Sequence, residues 1–194
     1  MTAIETEIMK GAWEAFWDYY RMSGKQTLWH GPEAFFQFTI LRRVSRRKDI
    51  IVFPECSPER LKRSFTPPPM VGKKPVVRNG QRFDMVIWWR NNTPRAILET
   101  KKATGVAGPM KDLRKLHAYR KAAVRLGLSA GYLLIYTEAV HSQTIETRYN
   151  NYLANFLIVT DKVAQVVGEV LPHPIANASG TSRHCAFLLY RIRF

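Results

Sequence analysis

The sequence is poor in cysteine and in long apolar runs. Cys56 and Cys185 are its two cysteines, and they stand far apart without a CxxC pairing. This argues against a disulfide framework or a zinc knuckle and indicates ordinary thiols in a reducing cytoplasm. No segment reaches the roughly 18 uninterrupted apolar residues of a membrane-spanning helix. The opening residues, MTAIETEIMK, carry acids where an export signal has its apolar core. We therefore expect a cytoplasmic protein that does not associate with a membrane.

Several motifs that mark common enzyme classes are also missing. The sequence has no glycine-rich phosphate loop, no GxSxG nucleophile elbow and no paired cysteine–histidine finger. The histidines show no metal-ligand spacing, and we expect them to be structural or surface residues; they are His30, His117, His141, His173 and His184. The chemistry of this chain must therefore be sought among its carboxylates and lysines.

Acidic residues are few relative to basic residues. The chain has 15 Asp and Glu against 30 Lys and Arg, which gives a formal net charge of +15 and a sequence pI near 10.2. A surplus of this size favours a polyanionic partner, because each neutralised phosphate releases condensed counterions. The basic residues are spread along the chain and do not gather on one amphipathic helix, which favours a nucleic acid over a membrane surface.

The spacing of apolar residues predicts a single α/β domain over 1–194, with a mixed sheet flanked by helices. A hydrophobic content of 46% is enough for one real core. Helical spacing predicts helices at about 4–22, 32–47, 110–126 and 142–157. Short apolar runs predict strands at about 49–54, 81–89, 95–101, 131–136, 163–167 and 185–192. The core would span about 32–137, with an additional N-terminal helix and a C-terminal extension over 138–194 that ends in further strands.

One long connection interrupts this pattern. Residues 56–75 are rich in proline, lysine and arginine, too polar for a core and long for an ordinary loop, so we expect a functional or partly disordered segment. Asn79-Gly80 follows between two extended runs and predicts a hairpin turn.

The most informative residues are an acid and a triplet on two neighbouring predicted strands. Glu99-Thr100-Lys101 closes an apolar strand, and because strand side chains alternate between faces, Glu99 and Lys101 project to the same side. Asp84 lies on the preceding strand of the meander. The short turn between the two strands can set Asp84 beside Glu99, so that two carboxylates and one ammonium converge.

This combination suits the hydrolysis of a phosphodiester. Asp84, Glu99 and the backbone carbonyl of Thr100 would form an oxygen site for Mg²⁺ or Mn²⁺ with room for water and a phosphate. The metal would acidify a bound water and neutralise charge on the phosphate. Nearby carboxylates oppose deprotonation of Lys101, so we expect this residue to orient the water and to stabilise the transition state electrostatically.

Phe83-Asp84 followed by Glu99-Thr100-Lys101 resembles the PD-(D/E)xK nuclease superfamily, also called restriction-endonuclease-like. The resemblance covers about residues 32–137 and implies an αβββαβ core and a metal-dependent DNA endonuclease. It also implies an additional acid on the helix before the strands, where Glu33 is the matching position. Phe83 departs from the proline that precedes the acid in the family's name.

The family's pattern also implies basic side chains that face the nucleic acid. The helix after the triplet would supply Lys111, Arg114 and Lys115, and we add Lys102 beside the triplet together with Lys73 and Lys74 in the long loop. Cutting both strands of a duplex at once needs two sites, so a homodimer is a possible assembly.

Several alternatives remain open from the sequence alone. Asp84 can simply cap a turn, and Glu99 with Lys101 can form a solvated cross-strand pair. Glu55 is a rival to Glu33 as the additional acid. At the level of function, the same fold can serve a non-catalytic nucleic-acid-binding or recombination accessory protein, and the basic surface can instead meet an acidic protein partner.

Overall fold

The structure is a computed structural model, which describes residues 1–56, 82–125, 127–159, 164–169, 173–176 and 179–194. The predicted long loop, except Cys56, lies outside these ranges, and so do the Asn79-Gly80 turn and the two loop lysines, Lys73 and Lys74. Among the described residues, no helix combines the length and the apolar composition that crossing a membrane requires.

The described residues form four α-helices, close to where apolar residues recur at helical spacing. They are α1 (Ala3–Met22), α2 (Glu33–Val44), α3 (Ala107–Arg125) and α4 (Ser142–Val159), and a 3₁₀ turn at Leu28–His30 precedes α2. A capping box starts α1: the Thr2 backbone N–H donates to the Glu5 carboxylate at 2.5 Å, and the Glu5 N–H donates to the Thr2 hydroxyl at 3.4 Å. These bonds satisfy backbone donors that a helix start leaves unpaired.

The predicted end of α2 at residue 47 is wrong, because the helix ends at Val44. The basic residues that follow turn the chain toward the first strand, and the Arg47 guanidinium lies 2.6 Å from the Asp49 carboxylate in this turn. The basic run therefore belongs to the connection after the helix.

The described strands form one mixed, open, seven-stranded sheet. They are β1 (Ile50–Cys56), β2 (Phe83–Trp89), β3 (Pro94–Lys102), β4 (Ala130–Ala139), β5 (Ala164–Glu169), β6 (His173–Ala176) and β7 (Ser182–Arg193). The spatial order is β1-β2-β3-β4-β7-β5, and β6 also pairs with β7. β3 and β4 run parallel, whereas all the other pairs are antiparallel. Among the described residues, the elements from α2 to β4 thus run helix, three strands, helix, strand.

Two helices cover each face of the sheet. Residues of α1 and α2 pack against one face in a core that includes Met85 and Leu98. Residues of α3 and α4 pack against the other face, over Val86 and Ile97. Because side chains alternate along a strand, Glu99, two residues after Ile97, faces α3. Asp84 lies at the same end of the neighbouring strand β2, at the margin of the sheet that α2 covers.

Candidate active site

Asp84 and Glu99 lie at the same end of β2 and β3, each one residue beyond the pair of Met85 with Leu98. The negative charge of Asp84 acts on Glu99. The Thr100 backbone N–H and the Thr100 hydroxyl both donate to Asp84 Oδ2, at 2.7 and 2.8 Å. No other described residue donates a hydrogen bond to this carboxylate, so Oδ1 is available to another ligand. Thr100 therefore fixes the orientation of the Asp84 carboxylate.

Glu99 is the more deeply buried carboxylate, with 3% of its side chain exposed. The Lys115 ammonium, which comes from α3, lies 2.5 Å from Glu99 Oε1. Burial raises the pKa of Glu99 to about 8, the Lys115 charge opposes this rise, and the charges of Asp84 and Asp112 add to it. Glu99 is thus an acid whose negative charge depends on a nearby cation.

Lys115 has a different place from the one that its sequence position suggests. We predicted it as a contact to nucleic-acid phosphates, but its side chain is only 15% exposed and points toward the sheet. Its ammonium also donates to the Arg82 backbone carbonyl and lies 4.9 Å from the centre of the Phe83 ring. The Phe83 ring, which stands where the PD-(D/E)xK pattern has a proline, therefore stabilises the Lys115 ammonium that pairs with Glu99.

Asp112, one turn before Lys115 on α3, is an acid of this site that the sequence analysis missed. Its carboxylate lies 4.0 Å from the Lys101 ammonium. Burial raises the pKa of Asp112, and the positive charges of Lys101 and Lys115 oppose the rise. The i,i+3 spacing of Asp112 and Lys115 on a helix that follows the triplet is the signal that could have identified them as a pair on one face.

Lys101 lies at the open side of the site. Its side chain is 36% exposed, and its ammonium is near Asp112 on α3. Asp84, Glu99 and Lys101 lie at the same end of β2 and β3, and their convergence as one catalytic group stays a prediction. The role of Lys101 toward water also remains a prediction.

The two candidate additional acids lie at the margin of the site. Glu33 is exposed in the first turn of α2, and its negative charge acts on both Lys102 and Asp112. Glu55 is exposed at the end of β1, where its carboxylate pairs with Arg82 at 3.0 Å. Its backbone has a φ of 44°, a left-handed conformation that is uncommon for a side chain of this kind. The structure brings neither acid into contact with Asp84 or Glu99 among the described residues.

The other predicted phosphate contacts divide into two groups. Lys111 and Arg114 are exposed on α3, as a contact with nucleic acid requires. The Lys102 ammonium instead donates to backbone carbonyls before α2, at 2.9 Å to that of Trp29 and also to that of Gly31. Burial lowers the pKa of Lys102, while the charges of Glu33 and Glu138 oppose the shift. Lys102 thus ties β3 to the start of α2.

Two other buried acids are neutralised by arginines and serve the fold. Arg191 lies 2.9 Å from the Glu5 carboxylate, and Arg183 lies 3.1 Å from that of Glu138. The Tyr136 hydroxyl also donates to Glu138 at 2.6 Å. Glu99 differs from both in two ways. Its partner is a lysine, and the charge of a second carboxylate, that of Asp84, acts on it.

The donor set near Asp84 fits a magnesium ion better than a zinc ion. Within the described ranges, no group of three His, Cys, Asp or Glu side chains is arranged to hold a metal. Mg²⁺ is usually bound through one or two carboxylates, with waters and substrate phosphates completing its octahedron. The Asp84 and Glu99 carboxylates supply the one or two carboxylates that Mg²⁺ needs, whereas a structural zinc site needs four protein ligands.

The site is thus an acid pair at the edge of a sheet, under a helix that carries one acid and one lysine toward it. Lys101 stands at its open side. Comparisons of this chain with protein-family models, with curated proteins and with solved structures find no match.

Proposed function

We propose that this protein is a metal-dependent nuclease that hydrolyses phosphodiester bonds in DNA, on a restriction-endonuclease-like core. One observation carries the proposal: the Asp84 carboxylate lies beside the Glu99-Thr100-Lys101 triplet, held by two hydrogen bonds from Thr100, and its charge acts on Glu99. The order of the described elements from α2 to β4, which is helix, three strands, helix and strand, supports the αβββαβ core that the PD-(D/E)xK resemblance implies. The net charge of +15 supports a polyanionic substrate.

In this proposal Asp84, Glu99 and the Thr100 carbonyl hold Mg²⁺ or Mn²⁺, and Glu33 is a possible additional acid. The bound ion would lower the pKa of a water and offset negative charge on the phosphate. Thr100 keeps the Asp84 carboxylate oriented through two hydrogen bonds. Lys115 stabilises the ionised form of Glu99, which a metal ligand must adopt.

Lys101 is the residue that we assign to the water and the transition state. Hydrolysis joins the water oxygen to phosphorus and breaks the bond from phosphorus to one sugar oxygen, so negative charge grows on the phosphate oxygens. The Lys101 ammonium lies 4.0 Å from the Asp112 carboxylate. From this position it can orient the water and stabilise the developing charge. Lys111 and Arg114 on the exposed side of α3 would contact flanking phosphates.

A cleavage assay on supercoiled plasmid and linear duplex tests the nuclease proposal. Purified protein is incubated with Mg²⁺, with Mn²⁺ or with EDTA, beside the Glu99→Ala/Lys101→Ala double variant. A second double variant, Glu146→Ala/Lys48→Ala, changes the same residue types at exposed positions away from the site and serves as the control. We expect metal-dependent nicking or cutting by the wild type and the control, and its loss in the active-site variant.

The product type separates endonuclease from exonuclease action, and linear plasmid as the first product would support a homodimer that cuts both strands. Absence of cleavage with either metal, with equal DNA binding by wild type and active-site variant, would instead favour a non-catalytic nucleic-acid-binding or recombination accessory protein. The Glu99–Lys115 ion pair would then be a purely structural contact.

A further inference from the structure

A cleft of about 510 Å³ opens beside Asp84, on the side of the sheet edge covered by α2. Its apolar wall is formed by Phe38 and Leu41 of α2 and by Met85 of β2. Polar groups stand around this wall, and they are Gln37, Glu55, Arg82 and Asp84. The cleft therefore joins an apolar surface to hydrogen-bonding groups and to one member of the acid pair.

Phe38 is the unusual residue of this cleft, because 63% of it is exposed. Its neighbours Phe36 and Ile40 on the same helix are fully buried in the core, so stability of the fold does not require an aromatic ring at position 38. An exposed ring beside a concave surface is a typical feature of a ligand site. Phe38 thus offers a flat face to a molecule that enters the cleft.

The chemistry of the cleft matches a nucleobase. A base has two apolar faces that stack on aromatic rings and a polar edge that forms hydrogen bonds. Phe38 can supply the stacking surface, while the Gln37 amide can both donate to and accept from a base edge. Arg82 adds a cation near the entrance, although it is partly neutralised by Glu55 at 3.0 Å. These groups favour a base attached to a phosphodiester chain.

We propose that this cleft binds an unpaired nucleobase next to the phosphate that is cut; the position of the cut rests on the nuclease function proposed above. Asp84 belongs both to the cleft and to the acid pair, so a base in the cleft belongs to a nucleotide adjoining the acid pair. A base that remains stacked and paired inside a duplex cannot enter such a cleft. The favoured substrate is therefore DNA with an unpaired nucleotide at the site of cleavage.

Binding to single strands with and without bases tests this proposal independently of hydrolysis. Fluorescence anisotropy, in EDTA so that no strand is cut, compares a short single-stranded oligonucleotide with the same oligonucleotide carrying abasic positions at its centre. Repulsion between the phosphates and the two carboxylates is common to both strands and cancels in the ratio of affinities. We expect the wild type to prefer the strand with bases by about tenfold, since stacking of one base on an aromatic ring changes affinity by about this amount.

Phe38→Ala should bring that ratio close to one, while Phe38→Trp should retain it because the stacking surface remains. Ile158→Ala removes an equally exposed apolar side chain on α4 and should leave the ratio unchanged. Unaltered thermal unfolding of the Phe38 variants would show that the fold is intact. Equal affinity of the wild type for both strands, or a ratio that survives Phe38→Ala, would overturn the proposal.

The two proposals can fail separately. A preference for bases that depends on Phe38, combined with no cleavage in any metal, would retain the cleft and reject the nuclease. Cleavage that needs Glu99 and Lys101, combined with no preference for bases, would retain the nuclease and reject the cleft.

Discussion

At the residue scale, the site depends on how one buried carboxylate is neutralised. Glu99 has Lys115 at 2.5 Å, and its pKa reflects burial first and the surrounding charges second. A buried carboxylate that loses its cationic partner must either take up a proton or remain charged in an apolar environment. Each of these outcomes costs free energy of folding. The ion pair is therefore a structural requirement of the ionised site as well as part of its chemistry.

Replacing Lys115 by methionine should destabilise the protein most above pH 8, where Glu99 would otherwise be ionised. We expect a loss of free energy of unfolding on the order of 3 kcal/mol there, because removal of one partner leaves a buried charge uncompensated. Urea denaturation at several pH values measures it. Lys111→Met, an exposed lysine on the same helix, should change the free energy of unfolding by less than about 0.5 kcal/mol. Equal effects of the two variants would contradict the structural role of the ion pair.

The pKa of Glu99 also predicts how stability depends on pH. Its value rises from an ordinary 4.5 to about 8 on folding, so the folded state holds a proton that the unfolded state releases between these pH values. The stabilisation linked to this proton is present below pH 4.5 and is lost as the pH rises through 8. In EDTA, the free energy of unfolding of the wild type should therefore fall relative to Glu99→Gln from about pH 5 to about pH 8.

The exposed Glu146 provides the matched control for this titration. Glu146→Gln makes the same replacement at an exposed position, and its free energy of unfolding should follow that of the wild type across the same pH range. Parallel stability curves for wild type and Glu99→Gln would show that burial does not raise the pKa of Glu99.

At the element scale, the close approach of α1 and α2 determines where α2 lies over the sheet. A Cβ atom at Gly11 of α1 would lie 2.9 Å from the Ile40 Cα and 3.1 Å from the Arg43 Cβ. Arg43 joins the same helices through its contacts to Glu7 and Glu14, each at 2.6 Å. Because α2 carries both Glu33 and Phe38, its position affects both the edge of the acid site and the cleft.

Gly11→Ala should push the two helices apart and lower the free energy of unfolding. The added methyl group meets the Ile40 Cα and the Arg43 Cβ, neither of which can rotate away, and overpacking of this kind costs about 1–3 kcal/mol. Gly105→Ala is the control, since no atom lies within 4 Å of the added carbon there. Chemical denaturation of both variants measures the difference, and a Gly11→Ala variant as stable as the wild type would rule out the tight contact.

The sequence predicted elements best where one physical pattern dominates. Helical spacing of large apolar residues located α1, α3 and α4 to within a few residues. The sequence did not predict β6 (His173–Ala176), because Pro172 precedes this short segment and Pro174 lies within it. β4 extends to Ala139, beyond the predicted Tyr136, because Glu138 can be buried once Arg183 and Tyr136 satisfy it. Partners that come from distant parts of the chain leave no local signal.

The same limit applies to the candidate site. Asp84, Glu99 and Lys101 could be grouped from strand alternation and antiparallel pairing alone, and the structure places all three at the same end of β2 and β3. The inward direction of Lys115 and the place of Asp112 depend on the rotation of α3 against the sheet, which amphipathicity defines only roughly. The contacts of Lys102 could not be predicted either. The backbone carbonyls to which it donates belong to residues 28–31, more than 70 positions away in the sequence.

At the scale of the whole molecule, a net charge of +15 surrounds a site made of carboxylates. The positive field attracts a polyanion from any direction, whereas the acids repel its phosphates locally until a cation is present. The proposed nuclease would therefore bind DNA widely over its surface and hydrolyse it only at the metal site. This separation makes overall binding insensitive to the active-site residues.

DNA binding should accordingly depend steeply on salt. If six or more phosphates are neutralised, affinity for a duplex falls by about 10³-fold or more between 50 and 200 mM salt. Titrations by fluorescence anisotropy in EDTA measure the slope, and Glu99→Ala/Lys101→Ala should reduce it by no more than about one phosphate contact. A nearly flat dependence would instead favour an acidic protein as the partner of the basic surface.

The position of β7 in the sheet bears on how this chain acquires its fold. β7 pairs with β4 along one edge and with β5 and β6 along the other, and Arg191 within it neutralises Glu5 of α1. All of the other described strands and helices precede it in the sequence. During synthesis, β4 therefore lacks its β7 neighbour, and Glu5 of α1 lacks its arginine, until β7 leaves the ribosome. Such dependence on distant contacts is typical of slow folding, and it makes the chain that still lacks β7 the form most exposed to aggregation.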